Sequence, residues 1–335
     1  MRRLRRRYTI LLGAALILIL GFFVLPPTLR ELARAPVSRE DGRTHVWQHA
    51  SPLPTPRTEV AGAAIGNEIY VIGGFGLGSV TDTVEKYDPS RDAWTTVKPL
   101  PAPLHHAAAV GYAGKLFVIG GYTGLATWNP EKTVYIYDPP SDSWSRGADM
   151  PTPRGALTAQ VIDGVIYAVG GAGAGGVVNT NEAYDPPSDR WTIRASMPTA
   201  REHLASAAAM GKLYVVGGRI GSITSNLDVN EEYDPAADQW RTRSPMPSKR
   251  GGITGASLFD RVYVFGGETI PYTFDSVEEY EPRTNLWRVR PPMPTARHGL
   301  AAVSGGDRIY VLGGGPTPGL SVSDANEILL IRPSS

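Results

Sequence analysis

Pro151-Thr152-Pro153-Arg154, then Val165-Ile166-Tyr167-Ala168-Val169-Gly170-Gly171, then Asn181-Glu182-Ala183-Tyr184-Asp185-Pro186 and Trp191, form one unit of a recurring pattern. The apolar run is β-branched and aromatic. It is short enough for a strand and too short for a helix. The paired glycines end that strand where a neighbouring backbone or side chain must come close. The Tyr-Asp-Pro segment is turn chemistry: Asp hydrogen-bonds its own backbone and Pro presets φ. Four short strands with tight turns make one antiparallel sheet. Such a sheet cannot bury both faces alone, so copies must stack.

Working outward, the chain of 335 residues repeats this unit six times. The glycine pairs begin at Gly73, Gly120, Gly170, Gly217, Gly266 and Gly313. The tryptophans are Trp47, Trp94, Trp144, Trp191, Trp240 and Trp287, and each stands 27 positions before the second glycine of the next pair. A period of 47 to 50 residues marks a propeller or solenoid array. Arg after Pro, Gly-Gly, Tyr and then Trp, in register, closely resemble the Kelch repeat over about residues 44–332. That resemblance implies an all-β, six-bladed β-propeller with strand A innermost and the Trp-bearing strand D outermost. Trp47 precedes the first glycine pair, and no Trp follows Asn326-Glu327. The last blade therefore takes its strand D from about residues 44–50, a seam that removes the sheet edge and whose deletion should destabilise the whole ring.

The N-terminus is a separate device. Residues 1–7 carry five arginines, and residues 8–25 carry no charge. Eighteen residues of helix span about 27 Å, enough for a bilayer core. The arginines should stay cytoplasmic, which makes residues 8–25 a signal anchor and places the propeller outside the cytoplasm. Ala33-Arg34-Ala35 has the form of a cleavage site, which would instead give a secreted protein, but it sits ten residues late and precedes Pro36. Residues 26–43 read as a linker.

The formal net charge of +1 misleads. Setting aside the eight arginines and three acids of residues 1–41 leaves 25 basic and 29 acidic groups, a net of −4. A mildly acidic domain argues against a nucleic-acid partner, which needs a basic face. There is no cysteine, so neither disulfides nor thiol chemistry are available.

Alternating strand directions put the D-to-A and B-to-C loops on one face. All variation in repeat length falls between Gly-Gly and Trp, at 20, 23, 20, 22 and 20 residues, and the family pattern assigns it to the B-to-C loops. Variable loops on a rigid scaffold are where function usually sits. The same face receives Arg57, Arg154, Arg201, Arg250 and Arg297 at the start of strand A. In the second repeat Leu104, followed by His105 and His106, takes that place. Read functionally, these side chains form an anion- or carboxylate-binding mouth. Read structurally, each Arg is part of the Kelch consensus and bonds carbonyls that hold the ring. Phe75, Tyr122, Trp128, Tyr272 and Phe274 in the loops, with Arg219 and Glu268 directly after their glycine pairs, suit a sugar or extended peptide. Alternatively some of these rings merely cover the rim. A Glu series, Glu85, Glu182, Glu231, Glu278 and Glu327, is replaced by Tyr135 in the second repeat and reads chiefly as a bonding element of the scaffold.

No strong catalytic motif is present. The six histidines show no metal-ligand spacing, so neither metal nor cofactor is expected. Gly-Ala-Gly-Ala-Gly-Gly at residues 171–176 precedes a strand rather than a helix, which rules out a phosphate cradle. Galactose oxidase is similar in architecture, but its copper chemistry depends on a Cys–Tyr crosslink that this sequence lacks. The N-acetylneuraminate epimerases resemble the chain as extracytoplasmic Kelch propellers, and imply a general acid/base near the axis. Arg201 with Glu202 and His203, or Arg297 with His298, could supply it. The sequence thus favours a membrane-anchored binding or scaffold module for a protein, peptide or acidic glycan. A sugar-anomer mutarotase is the alternative, and a structural envelope component the third reading.

Overall fold

A computed structural model of the chain describes residues 42–333. The basic segment, the signal anchor and most of the linker expected from the sequence lie outside these residues. The described residues form six four-stranded antiparallel sheets. Blade 1 runs Ala61–Ile65, Glu68–Ile72, Val84–Asp88 and Ala93–Thr96 as strands A to D. Strand B is buried through its apolar run, whereas strand D is largely exposed, as an outermost strand must be. Blade 6 contains Ala301–Gly305, Arg308–Leu312 and Asn326–Pro333, and Arg43–His49 completes it from the other end of the sequence. In that seam Trp47 stands opposite Leu329 in antiparallel register.

Two sets of stitches join the blades. The second glycine of every pair donates its N–H to the carbonyl at the Arg position of the next blade, at 2.8–3.0 Å, with Gly314 to Arg57 closing the circle. At Gly73 a Cβ would come within 2.4 Å of the Leu104 carbonyl oxygen, so that close approach admits only glycine. Each repeat Trp donates its indole N–H to a carbonyl at the edge of the preceding blade, at 2.7–3.0 Å. The repeated turn is equally regular. Tyr87, Tyr137, Tyr184 and Tyr233 donate to Asp92, Asp142, Asp189 and Asp238, and Tyr280 donates to Asn285.

The gap between strands B and C is 11, 14, 11, 13 and 11 residues in blades 1 to 5, which absorbs all the slack in repeat length. Strand A lines an axial channel with small side chains, among them Ala61, Ala108, Ala159 and Ala205. About 140 Å³ is free at the end where the D-to-A and B-to-C loops meet.

Candidate functional site

Arg57, Arg154, Arg201, Arg250 and Arg297 are fully buried. Each lies 2.5–3.0 Å from a Glu of its own blade: Glu85, Glu182, Glu231, Glu278 and Glu327. A hydroxyl two residues before the Arg (Thr55, Thr152, Thr199, Ser248 or Thr295) donates to the other oxygen of the same Glu. Arg154 also donates to the carbonyls of Gly170 and Ala168, both at 2.9 Å. These guanidiniums therefore tie the strands of their own blades together instead of lining the channel mouth. A charge with no exposure requires a partner, and the Glu series provides one in each blade that carries the Arg. Burial pushes the Arg57, Arg154, Arg201 and Arg297 guanidiniums below their ordinary value, against the pull of the paired carboxylates.

Two residues beyond each Arg position the chain reaches the axis. Glu59, His106, Ala156, His203, Gly252 and Gly299 occupy equivalent places there, and all six have φ between 51° and 67°. Backbone N–H groups link them in a closed ring, from His106 to Glu59, Ala156 to His106, and onward to Val60, which donates to Gly299. A left-handed conformation costs a residue with a Cβ about 1–2 kcal/mol. Glycine would serve throughout, as it does in blades 5 and 6. Glu59, His106 and His203 keep full side chains at these left-handed places, and all three line the axial cavity. Gly299 makes room for one of them, because a Cβ there would stand 2.6 Å from the Glu59 carboxyl.

Around this ring lies a polar cup. His106 Nε2 is 3.1 Å from Glu59 Oε2. His203 Nδ1 is 3.1 Å from Glu202 Oε2. Arg219 bridges Glu202 at 3.3 Å and Glu268 at 2.7 Å. His298 Nε2 lies 3.5 Å from Glu268 and 3.6 Å from Glu59. On the blade 1 and 2 side the wall is aromatic. Trp128, 42% exposed, packs on His106, His105 and Tyr122 at centroid distances of 4.7, 5.1 and 5.4 Å. Phe75 lies beneath, 4.1 Å from His105. The B-to-C loops that surround the cup carry exposed aliphatic tips: Leu77, Leu125, Ile220, Ile270 and Leu320.

Burial and neighbouring charges together set the acidities in the cup. Burial pushes the His105 imidazole down to about 4, against the stabilising Gly124 carbonyl. Burial, and then the neighbouring His203, hold His106 well below the ordinary histidine value. For Glu202 burial acts upward, but His203 and Arg219 outweigh it and leave the carboxyl below its usual range. For Glu268 burial is likewise outweighed, by His298, Arg219 and the Gly319 N–H.

Of the residues singled out from sequence, His105, His106, Tyr122, Trp128 and Arg219 meet in the cup. Tyr272 instead packs on Phe274 within its own loop, with centroids 5.5 Å apart. Glu202, His203, Glu268 and His298 also belong to the cup. Glu59 escaped the sequence reading altogether. Its signal is a broken period, since the place two residues after the Arg is Glu, His, Ala, His, Gly and Gly in successive blades.

The KLHDC2/KLHL20/DRC7 Kelch-repeats domain matches residues 40–171 and 98–267, and the Kelch motif matches residues 249–294. Kelch-like protein 4 of Homo sapiens is 38% identical over 56 residues, which are 17% of this chain and 8% of that protein. The solved structure of YjhT superposes with a TM-score of 0.73 at 15% identity, over 84% of this chain and 99% of that one. At such identity the likeness is one of fold. Six glycine pairs, six stitched tryptophans, the closed ring and these matches together show that the chain belongs to the Kelch-repeat β-propeller family.

Proposed function

We propose that the axial cup binds a monosaccharide and interconverts its anomers. The observation that carries this reading is the set of carboxylate–imidazole pairs, Glu202 with His203 and Glu59 with His106, facing an aromatic wall. Sugars present apolar C–H faces that stack on rings such as Trp128, and hydroxyls that bond charged groups. Anomer exchange needs little more than a positioned acid and base. A base takes the proton of the anomeric hydroxyl while the ring oxygen gains one. The bond between the anomeric carbon and the ring oxygen breaks to leave a carbonyl, and reclosure on the other face gives the other anomer. Glu202, ionised and oriented by Arg219, is the base in this scheme. Glu202 then passes that proton to the ring oxygen as the ring opens. Arg219 is the group that would meet a sugar carboxylate, at the expense of its longer contact to Glu202. Acidic sugars such as N-acetylneuraminate and neutral hexoses are therefore both to be tried. Polarimetry on a freshly dissolved single anomer tests the scheme. Rotation should relax faster with protein than without, and Glu202→Gln should remove about 100-fold or more of the added rate. Relaxation at the buffer rate with every sugar, or full activity in Glu202→Gln, would sink it.

The aliphatic loop tips favour a second reading, recognition of a protein or peptide across the same face. In either case residues 8–25 would tether the propeller outside the cytoplasm, as their charge-free run and the arginines before it suggest.

A further inference from the structure

We propose that Glu59, His106 and His203 hold a zinc-class divalent ion at the axis. The hydrogen-bond pattern around His105 leads there. His105 Nε2 faces the Gly124 carbonyl at 3.1 Å, and a carbonyl only accepts, so that nitrogen carries the hydrogen. With its hydrogen on Nε2, His105 has Nδ1 free to accept. That nitrogen faces His106 Nδ1 at 2.6 Å, so the hydrogen between them belongs to His106. This leaves a lone pair on His106 Nε2, which looks at Glu59 Oε2 only 3.1 Å away and makes no hydrogen bond. Two acceptors in contact, nearly out of reach of water, repel unless a proton or a metal ion joins them.

His203 completes the set. Its side chain is buried, and neither ring nitrogen makes a hydrogen bond, although Nδ1 lies 3.1 Å from Glu202 Oε2. Glu202 beside Nδ1 favours the hydrogen on that nitrogen, the arrangement that turns the other nitrogen toward a metal. One ligand atom from each of the three residues lies within 4.8 Å of the others. Ligands about 2.1 Å from a tetrahedral ion stand roughly 3.4 Å apart, so a side-chain adjustment on the order of 1 Å closes the site. Two imidazoles and a carboxylate suit zinc or a similar ion and leave a fourth position open to the cup. A second grouping, Glu59 with Glu268 and His298, does not serve. His298 already turns both nitrogens to carbonyls, Nδ1 to Gly315 (3.0 Å) and Nε2 to Gly319 (2.7 Å), so neither is unpartnered as the nitrogens of His203 are.

The ion occupies the cup of the proposed function and would polarise the sugar ring oxygen from the Glu59 side, with Glu202 still free to move the proton. Full-length protein stripped with a chelator and titrated calorimetrically with zinc chloride tests it. One ion should bind per chain. His106→Ala and His203→Ala should lose about 100-fold or more in affinity, and Glu202→Gln about 10- to 100-fold. His49→Ala, on the exposed seam, should bind as the wild type does. His203→Ala reproduces the Ala156 of blade 3 at an equivalent place, so it should fold, and melting confirms this. Cobalt in place of zinc should give visible bands that vanish in His203→Ala. Absent stoichiometric binding, or equal binding by wild type and His203→Ala, overturns the proposal. A chain without zinc affinity that still exchanges anomers removes the ion and keeps the function. Zinc binding without sugar turnover supports the ion and removes the function.

Discussion

The Arg–Glu pair shows what a single residue can and cannot disclose. Arg recurs in five blades and Glu in the same five, and blade 2 replaces both at once, with Leu104 and Tyr135. A pair lost together is a pair in contact, and the structure places these partners side by side in the blades that keep them. The sequence carried that relation. The direction of each guanidinium was not in it, because a residue at the head of strand A can point toward the channel or into the blade. Arg154→Leu should therefore destabilise the protein by about 3–5 kcal/mol, since it strands Glu182 without a partner. Arg154→Leu combined with Glu182→Tyr, the pairing blade 2 already uses, should recover at least half of that loss in denaturant melts. No recovery would mean that the guanidinium acts chiefly through the carbonyls it bonds.

At the scale of the element, the seam strand Arg43–His49 is where the ring is tied. The unpaired Trp47 foretold it, and pairing with Asn326–Pro333 fulfils it. Its contact with blade 5 was not legible, because no residue of the repeating pattern marks it. His45 lies 3.4 Å from Glu279, a buried carboxylate that also meets Arg290 and Arg261. Burial acts upward on Glu279, but His45 and the two guanidiniums dominate and bring it down from 4.5 to about 2. A carboxyl lowered on folding contributes stability that is present above its unfolded value and is lost as pH falls through its folded value. The melting temperature should thus drop between about pH 4.5 and pH 2, and Glu279→Gln should flatten part of that drop. An unchanged acid profile in Glu279→Gln would remove Glu279 from the seam's account.

Across the whole molecule, what repeats builds the scaffold and what fails to repeat builds the site. Glycine pairs, tryptophans and Tyr–Asp turns recur because every blade boundary poses the same packing problem, and that regularity made the fold readable. The cup assembles Glu59, His106, His203 and His298 from four D-to-A connections, and Arg219 and Glu268 from two B-to-C loops. No short motif contains them. Only ring closure brings them within reach, which is why metal-ligand spacing was absent from the sequence and present in space. The aliphatic loop tips lie on the same face, so scaffold, cup and rim compete as explanations of function. Thermal melting with a panel of neutral and acidic monosaccharides separates them most directly. It should be run on the wild type, on the cup variants Glu202→Gln and Trp128→Ala, and on the tip variants Leu77→Ser and Ile270→Ser. A sugar held at 100 times its Kd should stabilise the wild type and the tip variants by about 2.7 kcal/mol, and the cup variants hardly at all. Stabilisation that survives in the cup variants, or no stabilisation by any sugar, would contradict the assignment of function to the axis.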